Sequence, residues 1–254
     1  FEAKYGNNDE KVKHIFGPDF GRGDAEAFAG AAAFTDARLL LFPVRCLNGV
    51  FAYTTSRLAL NRLKKDLVLS GFEASPWQAP ADAADAALGV QGSKVTYQTK
   101  KVVLEEYSFD FRVDNQVGAI AEWLASNALP QGEEYGFWRD KVKTDLILLP
   151  DDAFREFVRH STEVQARVRI DNGKKTVDKG ALFYEEALPS DTLLYSVVMA
   201  HDPARDADRR PEGLKTHEDV MRMVAEIDGR RLQFGGDATI GRGIINVRFL
   251  NGGK

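Results

Sequence analysis

Short apolar or alternating segments recur along the chain, and this pattern predicts a fold rich in strands. Arg38–Cys46 is almost continuously apolar and predicts a strand, in which Pro43 indicates an edge position or a bulge. Lys101–Val113 alternates between apolar and other residues and predicts a further strand. Thr144–Leu149 and Leu193–Ala200 are apolar runs that predict two more.

Helical spacing of apolar residues predicts four helices between these strands. They run from Thr55 or Ser56 to about Ser70, over Val117–Leu129, from Asp151 or Asp152 through Val158, and from Thr216 to Ile227. Each possible first residue except Val117 carries a side chain that can accept a hydrogen bond from a free helix N–H group. The region 72–94 is rich in Ala, Asp, Pro and Gly, and it predicts an irregular insertion with a short helix near Ala81–Leu88.

A long hairpin is predicted in the second half of the chain. Glu163–Ile170 alternates as a strand, Asp171–Gly173 is a turn signal, and Ala181–Ala187 predicts the returning strand. The hairpin would project from the fold over about residues 165–187. Because strands and helices mix without a strict βαβ repeat, the sequence predicts an α+β fold with helices on a mostly antiparallel sheet.

Composition narrows the class of protein but misleads on charge. The 254 residues are 44% hydrophobic, and no apolar run is long enough to span a membrane. One cysteine, Cys46, excludes a disulfide scaffold and indicates a reducing, cytoplasmic location. The net charge of −4 argues weakly against nucleic acid, yet three basic windows, 38–65, 164–180 and 228–254, carry +6, +3 and +3. A basic face on an acidic body favours a partner with a phosphate backbone.

The segment Gly235–Gly243 is the sharpest local motif. Its four glycines, Gly235, Gly236, Gly241 and Gly243, would let the backbone approach a phosphate, and Arg242 could add a charged hydrogen bond. A Walker loop would need a Lys after the last Gly, and a dinucleotide fingerprint would need a helix, whereas a strand-like segment follows here. A phosphate cradle and a plain tight turn both remain open.

Tyr184-Glu185-Glu186 places two carboxylates at the end of the predicted returning strand. Neighbouring strand residues point to opposite faces, so one Glu could help to orient a reacting hydroxyl while the other faces away. The alternative is that one Glu pairs with an Arg of the hairpin. The four histidines have no partners at metal-ligand spacing, so the sequence predicts no metal site among them.

Several stretches taken together resemble one family. They are Ala29-Gly30, Asp36-Ala37-Arg38, Phe42–Arg45, Gly49–Tyr53, Leu58–Leu67, Leu149–Phe154, Tyr184–Glu186 and Pro189–Thr192. They resemble the crRNA-binding backbone subunits of type III-B CRISPR effector (Cmr) complexes. Gly235–Gly243 is similar to the glycine loop of the wider RAMP (repeat-associated mysterious protein) superfamily. The resemblance covers nearly the whole chain, from about Ile15 to Leu250.

The resemblance implies a single RAMP domain over residues 1–254, with a ferredoxin-like, RRM-type palm, inserted helices and the hairpin as a projecting thumb. Copies would stack on crRNA into a helical filament, beside other Cmr subunits, and cut target RNA at regular intervals. Cleavage in the family depends on a divalent metal, Mg²⁺ being the natural choice, and on an Asp after the first strand. That strand and Asp would precede Phe1, so we expect an upstream segment. No organic cofactor and no membrane partner are expected.

The same resemblance assigns candidate site residues. Those expected to hold RNA are Arg45, Lys64, Lys65, Arg167, Arg169, Lys174, Lys175, Gly235, Gly236, Gly241, Arg242 and Gly243. Glu185 matches the first Glu of the family's Tyr-Glu-Glu and is the candidate catalytic helper. The alternative function is a filament subunit that binds crRNA without cutting RNA.

Overall fold

The chain folds into two compact units, each of which is described separately. The computed structural model describes residues 9–18, 27–72, 77–78, 80, 84–98, 100–170, 173–174 and 177–250, with backbone alone for 170 and 177–181. The sheet unit comprises Leu39–Ser126 and Glu133–Tyr195, and the terminal unit comprises Phe1–Arg38, Asn127–Gly132 and Ser196–Lys254. The expectation of one domain over 1–254 stays a prediction.

Short strands and helices alternate irregularly along the described residues. The helices are α1 Glu10–Phe16, α2 Arg57–Leu69, α3 Asn115–Asn127, α4 Gly136–Asp145, α5 Asp151–His160 and α6 His217–Val224. The strands are β1 Ala32–Phe34, β2 Arg38–Arg45, β3 Phe51–Ser56, β4 Ala87–Gly89, β5 Thr96–Tyr97, β6 Lys101–Leu104, β7 Tyr107–Val113, β8 Leu146–Leu149, β9 Glu163–Ile170, β10 Val177–Ala187, β11 Leu193–Tyr195, β12 Val198–Ala200, β13 Arg231–Gln233 and β14 Ile244–Asn246. Among the helices of these described ranges, none is long and apolar enough to cross a bilayer.

The sheet unit is built on one eight-stranded mixed sheet. Its order is β11-β2-β3-β8-β4-β7-β6-β5. β3 pairs with β8 and β4 with β7 in parallel, while β2–β3, β4–β8, β6–β7 and β5–β6 are antiparallel. The α+β class is therefore confirmed, and the sheet is more mixed than the pattern predicted.

Strand β8 runs through the centre of this sheet, and β2, second from one edge, packs with it in the core. Leu146–Leu149 is buried along its whole length, as expected of a continuous apolar run between two neighbours. Phe42, Val44 and Ile147 pack in one cluster with Phe154 and Phe157 of α5. Pro43 lies in a strand that has neighbours on both sides, so the predicted edge position is wrong. The outer neighbour β11 is only three residues long, which leaves part of β2 free of pairing on that side.

Helix α2 forms for the reasons that the sequence indicates. Its N-cap is Ser56, whose hydroxyl accepts a hydrogen bond from the Ala59 N–H at 3.3 Å. Leu60, Leu63 and Leu67 form its buried stripe. Gly71 follows the C-cap with φ at 87°, a left-handed conformation that glycine adopts without strain.

Four boundaries differ from the prediction. Lys101–Val113 is a hairpin of β6 and β7, because the chain reverses at Glu105, whose φ is 49°. Leu193–Ala200 divides into β11 and β12, which belong to different sheets. The residues that precede β8 form α4 and are not part of the strand. Ala87–Gly89, the end of the helix predicted near Ala81–Leu88, is strand β4, while residues 81–83 lie outside the described ranges.

The predicted cap of α5 is also wrong. Pro150 occupies the N-cap and makes no side-chain hydrogen bond there. The Asp151 carboxylate instead accepts a hydrogen bond from the Leu58 N–H at 2.9 Å, in the first turn of α2. Asp151 and Ser56 therefore satisfy two of the free N–H groups at the start of the same helix.

The terminal unit has a small core of its own. β1 pairs with β12 antiparallel, and β13 pairs with β14 antiparallel. Ile15 of α1, Leu214, and Val220 and Val224 of α6 are buried together. The predicted start of α6 at Thr216 is confirmed, and Thr216 and Asp219 form a capping box there, in which each side chain accepts from the other's backbone.

Candidate nucleic-acid interface

Strands β9 and β10 form the predicted hairpin, as a two-stranded sheet separate from the main one. Leu182 pairs with Val168 and Tyr184 with Ala166, with a register shift between Val177 and Leu182. Side chains on both faces of the hairpin are exposed: Val164 is 65% and Tyr184 68% exposed, and Phe183 on the other face is 53% exposed. A hairpin whose described side chains remain exposed on both faces is suited to contact something outside its own core.

The basic residues of the hairpin lie mainly on one face of it. Arg167 and Arg169 alternate with Val168 along β9, so they share the face of Phe183 and Glu185. Lys174 is exposed in the turn. Lys175 lies outside the described residues, so its predicted contact with RNA stays a prediction. Two arginines beside an exposed aromatic ring can grip a phosphate backbone and stack on a base.

The two glutamates after Tyr184 point to opposite faces, as the strand period predicts. The Glu185 carboxylate pairs with the Arg167 guanidinium. This contact agrees with the alternative in which one Glu forms an ion pair with an arginine of the hairpin. Glu186 accepts a hydrogen bond from the Thr162 hydroxyl at 2.5 Å. The pairing gives Glu185 a structural reason to be there, and its catalytic role stays a prediction.

In the terminal unit, the glycine segment forms an exposed loop between β13 and β14. The left-handed φ values are 83° at Gly235, 60° at Asp237, 79° at Gly241 and 69° at Gly243. A Cβ atom at Gly243 would lie 1.9 Å from the Phe234 carbonyl oxygen, so this position requires glycine. The tight turn and the phosphate cradle are compatible, since the same loop is both closed at its base and open at its tip.

The tip of the loop has the groups that an anion needs. Within the described chain, the N–H groups of Gly235, Gly236 and Asp237 have no hydrogen-bond acceptor. A Cβ placed at Gly235, Gly236 or Gly241 would meet nothing within 4 Å. Free N–H groups in a concave backbone without side chains form the kind of nest that binds phosphate oxygens.

Gln233 holds this loop in shape, and sequence reasoning missed it. Its side-chain amide donates to the carbonyl oxygens of Gly235 at 3.0 Å, Gly236 at 3.2 Å and Arg242 at 3.4 Å. By binding carbonyls, Gln233 turns them inward and leaves N–H groups on the outside. The available signal was an amide side chain two residues before a glycine pair.

The predicted cations of the sheet unit that lie outside the hairpin have different surroundings. They are Lys64, Lys65 and Arg45. Lys65 on α2 is 66% exposed and lies 4.0 Å from Asp66 Oδ1, while Lys64 is half-buried. Arg45, at the end of β2, pairs with Glu105 through Nη2 and Oε2 at 3.1 Å and through Nε and Oε1 at 3.1 Å. Because one edge of this guanidinium is already bound to a carboxylate, it has less to offer a phosphate than the lysines have.

The expected Mg²⁺ stays a prediction. No group of three or more His, Cys, Asp or Glu side chains in the described ranges could hold a metal ion. Glu185, the candidate helper, is paired with a cation and not with further carboxylates. No chemical step can therefore be assigned through a metal in this part of the chain.

A match to a family model supplies the identity of the fold. The RAMP superfamily model matches residues 1–246. The chain belongs to the RAMP superfamily. The relatives of this RAMP chain include the CRISPR system Cmr endoribonuclease Cmr4 of Pyrococcus furiosus, 36% identical over 240 residues, which are 94% of the chain and 75% of the relative. The CMR subunit Cmr4 of Saccharolobus solfataricus is 25% identical and matches 98% of the chain and 80% of that protein.

Solved RAMP structures agree with the fold. Oligomeric Cmr4 from Pyrococcus furiosus, a crystal structure, has a TM-score of 0.69 at 32% identity and matches 94% of this chain and 76% of that one. A cryo-EM structure of type III-B Cmr-beta bound to cognate target RNA has a TM-score of 0.63 at 19% identity, covering 97% of this chain and 78% of that one. The mixed sheet with a projecting hairpin is thus the RAMP palm with its thumb.

Proposed function

We propose that this chain is the backbone subunit of a type III-B CRISPR effector complex. It binds crRNA as a helical filament of copies, next to other Cmr subunits, and cleaves complementary target RNA at regular intervals. The observation that carries the proposal is the 36% identity to the Cmr endoribonuclease over 94% of the chain. The oligomeric crystal structure of a relative at 32% identity supports further copies of the chain as partners.

The surface chemistry of both units supports an RNA ligand. A guide of varying sequence has to be held by its phosphates and 2′-hydroxyls, since base pairing supplies the specificity. Groups that can bind phosphates and hydroxyls are present in each unit. The sheet unit has Lys64, Lys65, Arg167, Arg169 and Lys174, and the terminal unit has the glycine loop with Arg242. Cations and backbone N–H groups can bind the phosphates of any sequence, which suits binding that is independent of sequence.

Cleavage is tested with the assembled complex and labelled complementary RNA in the presence of Mg²⁺. We expect fragments at regular spacing along the guide, and EDTA should abolish them. The alternative function is a filament subunit without nuclease activity, and intact target RNA in a complex that binds it fully would establish that alternative. The pairing of Glu185 with Arg167 is the observation that favours the alternative.

Two matched substitutions separate the roles of Glu185. Glu185→Gln and Arg167→Gln break the same ion pair, but only the first removes the carboxylate. The cleavage is measured with the complex in saturating excess, so that the loss of Arg167 as an RNA-binding cation does not limit the rate. If the carboxylate only pairs, both should then slow single-turnover cleavage by a similar factor, within about fivefold, the range of an exposed ion pair. We expect this result. A rate lower by about a hundredfold or more in Glu185→Gln alone would instead make Glu185 a catalytic residue.

A further inference from the structure

A cleft of about 820 Å³ opens in the sheet unit beside the base of the hairpin. It is lined by residues of β2, of the β6–β7 turn, of α5 and of the start of β9. Its lining includes three aromatic rings: Phe157 is 5% exposed, and the Tyr107 and Phe109 rings lie 5.8 Å and 6.2 Å from it. A concave surface with an aromatic wall and this volume is typical of a binding site.

The charges around this cleft are mainly negative. The lining carboxylates are Glu105, Glu106, Glu156 and Glu163, against the cations Arg45 and His160. Arg45 is paired with Glu105, and His160 Nε2 lies 3.3 Å from Glu156 Oε2. Within the described residues the Glu106 carboxylate has no hydrogen-bond or ion-pair partner. The lining is therefore net negative whether or not His160 is protonated.

The state of Glu156 supports a lasting negative charge at the cleft. A hydrogen bond from the Arg155 guanidinium lowers the pKa of its carboxyl, and the nearby charges of Arg155, Arg159 and His160 act in the same direction. Arg155 is not among the residues that line the cleft. The carboxylate consequently stays ionised, with Arg155 beside Oε1 and His160 beside Oε2. Its side chain is 49% exposed, so it can still accept a further hydrogen bond from a ligand.

These features are unfavourable for RNA, the ligand that the basic parts of the surface suit. A phosphate backbone in the cleft would meet four carboxylates and one guanidinium that is already paired. An arginine or lysine side chain would meet complementary charge at Glu106 and Glu156 and the ring of Tyr107, which is 57% exposed. Aromatic residues and arginine are also the residues in which protein–protein interfaces are enriched.

We propose that this cleft is a docking site for a basic peptide segment of a partner protein, with arginine or lysine side chains paired to Glu106 and Glu156 over the aromatic wall. The site shares only Arg45 with the candidate RNA-binding residues and does not rest on the proposed function. It assigns Arg45 to the rim of a protein-binding cleft, where it holds Glu105 in place.

The test uses two fluorescein-labelled peptides, one that alternates Arg with Leu and one that alternates Glu with Leu, followed by fluorescence anisotropy. We expect the Arg peptide to bind, and the double variant Glu106→Gln/Glu156→Gln to bind it about tenfold more weakly. The matched control is Glu133→Gln/Glu134→Gln, which removes two exposed carboxylates of the same unit away from the cleft. This control corrects for attraction of a cationic peptide to an acidic protein.

A charge reversal gives a second, independent readout. Glu106→Arg/Glu156→Arg should bind the Glu peptide in place of the Arg peptide, and neither cleft variant should change crRNA affinity more than about twofold. Equal binding of the Arg peptide by both Gln variants overturns the proposal. So does a loss of crRNA binding in the cleft variants, which would make RNA the occupant. A loss of self-association of the chain in sedimentation velocity would make a second copy the occupant and overturn it as well.

Discussion

At the scale of single residues, Gly243 is the position where a side chain is least tolerated. Its φ of 69° disfavours any other residue, and a Cβ would lie 1.9 Å from the Phe234 carbonyl oxygen. We expect Gly243→Ala to lower the free energy of unfolding by about 1–2 kcal/mol or more, measured by urea denaturation. The affinity of Gly243→Ala for crRNA should fall as well, because the free N–H groups at the tip of the loop depend on its closed base.

Gly236 provides the matched control for Gly243 in the same loop. Its φ is not left-handed, and a Cβ there would meet nothing within 4 Å. Gly236→Ala should change stability by less than about 0.5 kcal/mol, as exposed substitutions usually do. Equal losses in the two variants would show that the loop needs flexibility at all its glycines and not one specific backbone conformation.

At the scale of elements, the start of α2 depends on a residue from another helix. Asp151 of α5 accepts from the Leu58 N–H, while Asp152 next to it pairs with the exposed Arg155 at 3.0 Å. Asp151→Ala should therefore cost about 1 kcal/mol in urea unfolding, the usual value of a lost N-terminal cap. Asp152→Ala should cost less than about 0.5 kcal/mol. The reverse order would mean that Asp152 is the residue that caps.

Helix α6 carries a pH-dependent contact at its first residue. A hydrogen bond between His217 Nδ1 and Asp202 Oδ1, 2.9 Å apart, raises the pKa of His217, and the charge of Glu218 adds to it. Because this folded-state pKa lies above the unfolded one, the stabilisation is complete below the ordinary histidine pKa of about 6.5 and is lost as the pH rises through the raised value.

The urea midpoint should accordingly fall slightly between about pH 6 and about pH 8. Asp202→Asn should flatten this change, since the amide oxygen can still accept from the His217 N–H but offers the ring no charge. Asp208→Asn, an exposed aspartate of the same unit, is the control and should leave the profile unaltered. A profile unchanged in Asp202→Asn would assign the pH dependence to other groups.

The elements that could be predicted are those whose local signals agree with their tertiary surroundings. The cap at Ser56, the capping box at Thr216 and the hairpin β9–β10 each follow from residue type and spacing. The turn at Glu105 could not be predicted, because two glutamates are not the glycine or asparagine that such turns favour, and only the sheet imposes a φ of 49° there. Helix α4 has Tyr135 at its N-cap without a side-chain hydrogen bond, so no start signal marks it.

The candidate site divides in the same way. The glycine loop and the basic hairpin could be predicted, because residue type alone indicates the tight turn of the one and the positive charge of the other. The pairing of Arg45 with Glu105 and the support that Gln233 gives the loop join residues through the fold. Spacing along the chain carries no information on the first contact, since it depends on strand order and register. The Gln233 contacts are local, but residue type does not show which way the amide turns.

At the scale of the whole molecule, the net charge of −4 combines surfaces of opposite sign. Exposed cations on α2, on the hairpin and at the glycine loop coexist with an acidic cleft at the base of that hairpin. A single value of net charge therefore says little about the partner of such a protein. The physical property that matters is which cations are free to displace the counterions of a polyanion.

The salt dependence of crRNA binding measures that property residue by residue. Each cation that contacts a phosphate of a single strand should contribute about 0.7 to the slope of log affinity against log salt. Lys64→Gln/Lys65→Gln should lower the slope by up to about twice that value, because Lys65 is exposed on α2 and Lys64 is half-buried beside it. Arg45→Gln should leave the slope unchanged, because its guanidinium is bound to Glu105 at the rim of an acidic cleft. Filter binding at several salt concentrations gives all three slopes, and a reduced slope in Arg45→Gln would show that RNA separates the ion pair and reaches the cleft.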